Sequence, residues 1–122
     1  MSHDPSKDTG SPEVPLPGAA DQIADQHRDL WLAYQSLGKQ VSRAGPLDAR
    51  ARRLVHLALA IASDAEGATH SHTRRALAEG FTAEELEHVA LLAITTVGWS
   101  RAMKGLNWVR DITQARGAEL AR

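Results

Sequence analysis

The stretch ASDAEGATHSHTRRALAEG, residues 62–80, places one glutamate and two histidines close together, at Glu66, His70 and His72. An imidazole gives and takes protons near neutral pH and a carboxylate can orient it, so this set indicates acid–base chemistry. Residues advance by about 100° around a helix, so the two histidines face nearly opposite ways and cannot bind one metal ion together. Glu66 and His70 share a helix face, where they could pair or supply two ligands to a metal.

The inward-facing histidine is predicted to be His72, because small side chains share its helix face and let a neighbouring helix approach. A buried imidazole needs a polar partner. If the helices before and after Asp64 form an antiparallel hairpin, His56 and His72 face each other, because they are equally far from Asp64. Arg53 lies about one helical turn from His56 and reaches the same place. We therefore predict a polar pocket of Arg53, His56 and His72 in an otherwise apolar bundle.

Three of these candidates also have structural explanations, which the sequence leaves open. Glu66 fits a Ser-x-x-Glu capping box with Ser63, in which each side chain satisfies a backbone N–H. His70 fits a solvent-exposed or interface position. His56 fits a core histidine that is hydrogen-bonded to a backbone carbonyl.

The elements that must position these residues are helices, because the sequence has helical apolar stripes and no sustained alternation of apolar and polar residues. Capping boxes are expected at Ser63–Glu66 and at Thr82–Glu85, and Gly80 and Gly98 are expected to end helices. The predicted fold is an all-α bundle of about five helices, over about residues 21–43, 48–62, 63–79, 82–97 and 100–116. We predict a flexible arm over residues 1–18 and a single domain over residues 19–122.

Composition narrows the classes of function. The chain of 122 residues has no cysteine, which excludes disulfides, thiolate nucleophiles and Cys-ligated metals. Its net charge is −1 and only 4% of its residues are aromatic, which argues against nucleic-acid binding. The apolar runs are too short for a membrane span, and the N-terminus lacks the apolar core of a secretory signal. We expect a cytoplasmic protein.

A family resemblance covers about Gly45 to Trp108, slightly over half of the chain. It rests on the Arg-x-Leu-Val sequence that begins at Arg52, on Glu66, on SHTRRAL at residues 71–77 and on GFTAEEL at residues 80–86. These features resemble the carboxymuconolactone decarboxylase and alkylhydroperoxidase D-like family. The resemblance implies an all-α fold and a homo-oligomer, either a trimer or a hexamer, with sites near subunit contacts.

The resemblance also separates two chemistries. The peroxidase branch carries Cys-x-x-Cys, a histidine four residues on, and an upstream glutamate. The matching positions here are Ala65, Ala68, His72 and Arg53, so only the histidine is retained and thiol peroxidase activity is excluded. The decarboxylase branch lacks the cysteine pair, as this chain does, although its C-terminal histidine falls at Asn107.

The function that the resemblance implies is a lyase without a cofactor, which decarboxylates a small lactone or unsaturated carboxylic acid. In such a reaction an arginine would hold the carboxylate and a histidine would act as general acid or base. The expected acid–base residues are His72, Glu66 and His56, and the expected substrate-binding residues are Arg53, His70 and Arg101. The alternative is a non-catalytic oligomeric scaffold that binds a small molecule and has lost the peroxidase site.

Overall fold

The computed structural model describes the backbone of residues 18–120 and the side chains of residues 19 and 21–115. All regular elements in this part are helices, which confirms the all-α prediction. They are α1 (Gly18–Gln26), α2 (Arg28–Ser42), α3 (Ala49–Ala62), α4 (Glu66–Ala78), α5 (Ala83–Leu92), α6 (Ile94–Val97) and α7 (Trp99–Leu120). The arm predicted for residues 1–18 lies outside the described residues, except for Gly18, which begins α1.

In the described backbone, seven helices replace the five that the sequence predicts, because two of the predicted helices are interrupted. The first divides at His27 into α1 and α2, and the fourth divides at Ala93 into α5 and α6. Within residues 18–120, none of these helices combines the length and the apolar character that a bilayer-crossing helix needs. The cytoplasmic location stays a prediction.

The chain divides into two compact units, residues 1–47 and residues 48–122, although the sequence predicts one domain over residues 19–122. In the described part of the first unit, α1 packs against α2, and Ala24 and Trp31 are buried. Several large apolar side chains on α2 are instead exposed.

The second unit contains the apolar core and the candidate site residues. Its longest helix, α7, packs against both α4 and α5, and α3 packs against α4. The buried core residues are Leu57, Ile61, Ala76, Phe81, Leu86, Ala90, Leu106 and Val109. Gly105 lets α7 come close to α3, because a Cβ atom at this position would lie only 2.5 Å from Cγ2 of Ile61.

The capping box predicted for α5 is present. The Thr82 hydroxyl accepts a hydrogen bond from the Glu85 N–H at 3.1 Å, and the Glu85 carboxylate accepts one from the Thr82 N–H at 2.9 Å. Phe81 and Leu86, on either side of this box, are both buried in the core, as a hydrophobic staple requires.

The capping box predicted for α4 is wrong. Ser63 ends α3, since its N–H still donates to the Leu59 carbonyl, and it is therefore not available to start the next helix. Asp64 then turns the chain with a positive φ of 58°, and α4 begins at Glu66 without a side-chain cap. The result is a tight hairpin between α3 and α4.

Candidate functional site

The hairpin of α3 and α4 brings Arg53, His56 and His72 together, in the arrangement expected from their distances to the turn. The Nη1 atom of Arg53 lies 2.7 Å from Nδ1 of His72. The ring centroids of His56 and His72 are 5.3 Å apart, with the ring planes tilted by 34°. All three residues are partly buried. Their catalytic roles stay predictions.

A fourth residue of this cluster, Glu79, was not predicted from the sequence. The Nε and Nη2 atoms of Arg53 each donate a hydrogen bond to one oxygen of the Glu79 carboxylate, both at 2.8 Å. This two-point geometry is the strongest form of an arginine–carboxylate pair. The Arg53 side chain is 11% exposed and the Glu79 side chain is 26% exposed, so solvent screens the charges of this pair in part. The available signal was spacing: Glu79 follows His72 by seven residues, or two helical turns, and so shares its face.

The contact with Arg53 defines the state of the His72 ring. A guanidinium has five N–H donors and no acceptor, so Nδ1 of His72 must accept the hydrogen bond. An imidazole that accepts at Nδ1 is neutral and carries its hydrogen on Nε2. The contact therefore selects one tautomer of a neutral ring, in which Nε2–H is the remaining hydrogen-bond donor.

The surroundings of His72 favour the same neutral state. Burial lowers the pKa of this imidazole most, and the positive charges of Arg53, His56 and Arg75 lower it further. The Glu79 carboxylate opposes them, and the pKa moves from 6.5 to about 4. At pH 7 roughly one ring in 1,000 is protonated, so the neutral ring is the populated form.

Glu66 and His70 are placed away from this network. Glu66 is exposed in the first turn of α4, and its side chain forms no hydrogen bond or ion pair with another described residue. Nε2 of His70 instead donates to Oδ2 of Asp111 on α7, at 3.0 Å. Among the side chains that the structure describes, no group of three or more His, Asp or Glu residues is arranged to hold a metal ion.

Arg101 lies at the other end of α3 from Arg53. Its Nη1 atom donates to the carbonyl of Ala62, the last residue of that helix, at 2.9 Å. Arg53 precedes Ala62 by nine residues, which corresponds to about 13 Å along the axis of α3. Arg101 instead borders an open cleft of about 460 Å³, lined by Val97, Gly98, Trp99, Ser100, Arg101 and Lys104.

A comparison with protein families supports the relationship that the sequence motifs indicate. The family model described as "Carboxymuconolactone decarboxylase family" matches residues 29–111, which is more than half of the chain. The protein belongs to the carboxymuconolactone decarboxylase family. It is a member without cysteine. No curated protein and no solved structure gives a significant match to the chain.

The chemistry open to this family member follows from the His72 cluster. A neutral imidazole is a good hydrogen-bond donor to an oxygen that gains negative charge during a reaction, and it loses no proton in doing so. Since Nδ1 accepts from Arg53, this lone pair is a poor base in the resting protein. After its bonds to Glu79 and His72, Arg53 keeps two of its five N–H groups for a ligand oxygen.

Proposed function

We propose that this member of the carboxymuconolactone decarboxylase family is a lyase without a cofactor, which decarboxylates a small unsaturated carboxylic acid or lactone acid. The observation that carries the proposal is the 2.7 Å contact between Arg53 and His72. It holds a neutral imidazole beside a guanidinium, which is a suitable pair for a substrate with a carboxylate and a carbonyl. Family membership supports the class of reaction.

The proposed reaction needs no redox partner. The bond between the carboxylate carbon and its neighbour breaks, CO2 leaves, and the electron pair moves into the conjugated carbonyl to form an enolate. Nε2–H of His72 donates a hydrogen bond to the enolate oxygen and lowers the barrier. Water then delivers a proton to the carbon and releases hydroxide to the solvent, so the products are CO2, hydroxide and the decarboxylated acid or lactone.

Arg53 has two parts in this proposal. Its Nη1–H group keeps the ring of His72 in the Nε2–H tautomer, and its remaining N–H groups bind one oxygen of the substrate carboxylate. Glu79 is a positioning residue, because it holds the guanidinium by two bonds. His56 lies against the ring of His72 and limits its tilt.

The test is CO2 release from a panel of small lactone acids and unsaturated carboxylic acids by the purified full chain. We expect His72→Ala to lower turnover by about 100-fold or more, the effect of losing one oxyanion donor. His72→Gln keeps a donor and should retain part of the activity. His88→Ala, which changes an exposed histidine on α5, is the matched control and should be unchanged. Turnover that is unaffected by His72→Ala refutes the assignment.

The second candidate function is a non-catalytic scaffold that binds a small acid. The observation that favours it is the closed network of Arg53, whose positive charge is already matched by Glu79. A scaffold would bind a small carboxylate without releasing CO2 at any pH between 5 and 8. Calorimetric binding by a wild-type chain that turns over no member of the panel would select this function over the lyase.

A further inference from the structure

The open cleft at the start of α7 is a second place where a ligand fits. Its volume of about 460 Å³ lies within the range of roughly 300–1,000 Å³ that is usual for small-molecule sites. We call the six residues that line it, Val97, Gly98, Trp99, Ser100, Arg101 and Lys104, the α7 cleft. None of them belongs to the His72 cluster, so the α7 cleft is a separate candidate for binding.

Two cationic side chains border the α7 cleft, and contacts within the protein hold both of them. Nη1 of Arg101 donates to the Ala62 carbonyl at 2.9 Å. Nζ of Lys104 lies 3.0 Å from Oδ1 of Asp64 and 5.7 Å from the centre of the Trp108 ring. Because these contacts already restrict two long side chains, a ligand loses less free energy in ordering them.

The charges at the α7 cleft do not cancel. Asp64 matches the charge of Lys104, whereas the Ala62 carbonyl that holds Arg101 has no formal charge. Among the described residues no carboxylate pairs with Arg101, and four of its five N–H groups remain for a ligand. Two cations and one carboxylate leave one positive charge, which suits a ligand with one negative charge.

The first turn of α7 adds backbone donors beside Arg101. The first hydrogen bond of this helix runs from the Ala102 N–H to the Gly98 carbonyl, at 3.1 Å. The N–H groups of Trp99, Ser100 and Arg101 precede it, and none of them donates to a backbone carbonyl of a described residue. The α7 cleft therefore combines backbone N–H groups with a guanidinium, and both bind carboxylates well.

An apolar wall in the α7 cleft favours an organic ligand over an inorganic anion. Val97 and Trp99 line the same cleft as the donors, and Trp99 is 65% exposed. An exposed indole ring offers a flat apolar face, and stacked aromatic pairs gain more than the burial of their area alone. Gly98 joins the wall to the start of α7 with a φ of 95°, a conformation in which any side chain would be strained.

We propose that the α7 cleft binds a small aromatic monocarboxylic acid. Its carboxylate accepts hydrogen bonds from Arg101 and from the N–H groups in the first turn of α7, and its ring packs against Trp99. The inference does not depend on the proposed reaction, since it uses no residue of the His72 cluster. Because the cleft is open to solvent, we expect weak binding with fast exchange.

The first experiment titrates benzoate into the full chain and follows the backbone and indole N–H signals by nuclear magnetic resonance. We expect shifts at Ser100 and Arg101 and at the indole of Trp99. Benzamide has the same shape without the charge and should bind about 10-fold more weakly or less. Phosphate has no ring and should compete poorly with benzoate. No shift in the first turn of α7, or equal affinity of benzoate with either benzamide or phosphate, overturns the proposal.

The second experiment locates the site by substitution. Arg101→Gln removes the unmatched charge but keeps an N–H donor for Ala62, and it should weaken benzoate binding by about 10-fold or more. Arg110→Gln is the matched control, because Arg110 is an exposed arginine farther along α7 whose Nε atom pairs with Glu87 at 3.0 Å. It should bind benzoate like the wild type. Trp99→Ala, which removes the apolar face, should weaken binding by about 2- to 10-fold.

Arg53→Met separates the α7 cleft from the His72 cluster. This variant loses the guanidinium of the cluster and should still bind benzoate at the first turn of α7 with the wild-type affinity. Binding that is lost in Arg53→Met and kept in Arg101→Gln would place the carboxylate in the His72 cluster, which overturns the proposal. Circular dichroism checks the helix content of every variant. If Arg101→Gln loses helix content, Trp99→Ala decides, and unchanged affinity in it overturns the proposal.

Discussion

Replacing Arg53 with methionine should raise the pKa of His72. The substitution keeps an unbranched side chain of similar length but removes the positive charge and the N–H group that donates to Nδ1. It also removes the Arg53 charge that offsets the Glu79 carboxylate, whose own charge favours the protonated ring. Both changes act in the same direction. Burial, the largest cause of the low pKa, remains in the variant.

The size of this effect follows from the charges. Two unit charges about 4 Å apart interact by roughly 1 kcal/mol in water and roughly 4 kcal/mol at an effective dielectric constant of 20. Because Glu79 neutralises part of the guanidinium charge, the lower end of this range applies to His72. We expect the pKa of His72 to rise from about 4 by roughly 0.7 to 1 unit in Arg53→Met.

The wild-type pKa also predicts how stability changes with pH. The folded protein binds the proton on His72 more weakly than the unfolded chain does, so acidification from pH 6.5 to 4 favours unfolding. The full shift corresponds to at most about 3 kcal/mol, and solvent screening at the partly exposed ring reduces this to roughly 2 kcal/mol. Above pH 6.5 this contribution is constant. Urea unfolding at several pH values should show a steeper loss for the wild type than for His72→Gln.

Nuclear magnetic resonance of the imidazole nitrogens measures both the tautomer and the titration. The chain has six histidines, so the spectrum of His72→Gln identifies the resonances that belong to this residue. Arg50→Met is the matched control, because Arg50 is also on α3 and forms an ion pair, at 2.9 Å with Glu85. It should leave the pKa of His72 nearly unchanged. A wild-type ring that titrates near 6.5, or the same pKa in Arg53→Met and the wild type, refutes the reasoning.

Two further substitutions test the packing around the cluster. Glu79→Gln leaves the Arg53 guanidinium without its anion in a largely buried position, and urea unfolding should show a loss of roughly 2 kcal/mol; unchanged stability would show that the pair contributes nothing. Gly105→Ala places a methyl group against Ile61 and should cost about 1–3 kcal/mol in the same assay. Gly67→Ala, in a helix with open space around it, should instead stabilise by up to about 1 kcal/mol, and a loss similar to that of Gly105→Ala would contradict this explanation.

The pairing of His56 with His72 was predictable because a short hairpin relates the two helices by counting alone. Once the turn is placed near Asp64, residues equally far from it face each other, whatever packs around them. Counting from the turn did not predict the contact between Arg53 and Glu79, because Glu79 is farther from the turn than Arg53 is. The long Arg53 side chain extends along α4 to the Glu79 carboxylate. Counting residues from the turn does not take the length of a side chain into account.

The two predicted capping boxes show where a local motif fails. Both have the Ser/Thr-x-x-Glu pattern, but only Thr82–Glu85 forms a box. Gly80 follows the end of α4 and has a φ of 99°, which turns the backbone out of the helix before Thr82. Ser63 has no such separation, since its N–H is still bonded within α3. When a residue is already the C-terminal cap of one helix, it does not also act as the N-terminal cap of the next helix, and the capping box does not form.

Arg53 stands where the resemblance to the peroxidase branch implies a glutamate, so the charge at this position is opposite to the one that the resemblance implies. A carboxylate beside the histidine would raise its pKa and favour proton uptake, as a thiol relay requires. Arg53 lowers the pKa of His72 instead, at a position where Ala65 and Ala68 stand in place of the thiols. Without a partner, the positive charge of Arg53 would be unpaired in a largely buried position. Glu79, at the C-terminal end of α4, supplies the negative charge that pairs with it. Alanines at positions 65 and 68, the positive charge of Arg53 and its counter-ion Glu79 are the features on which the proposed hydrogen-bond donation to an anion rests.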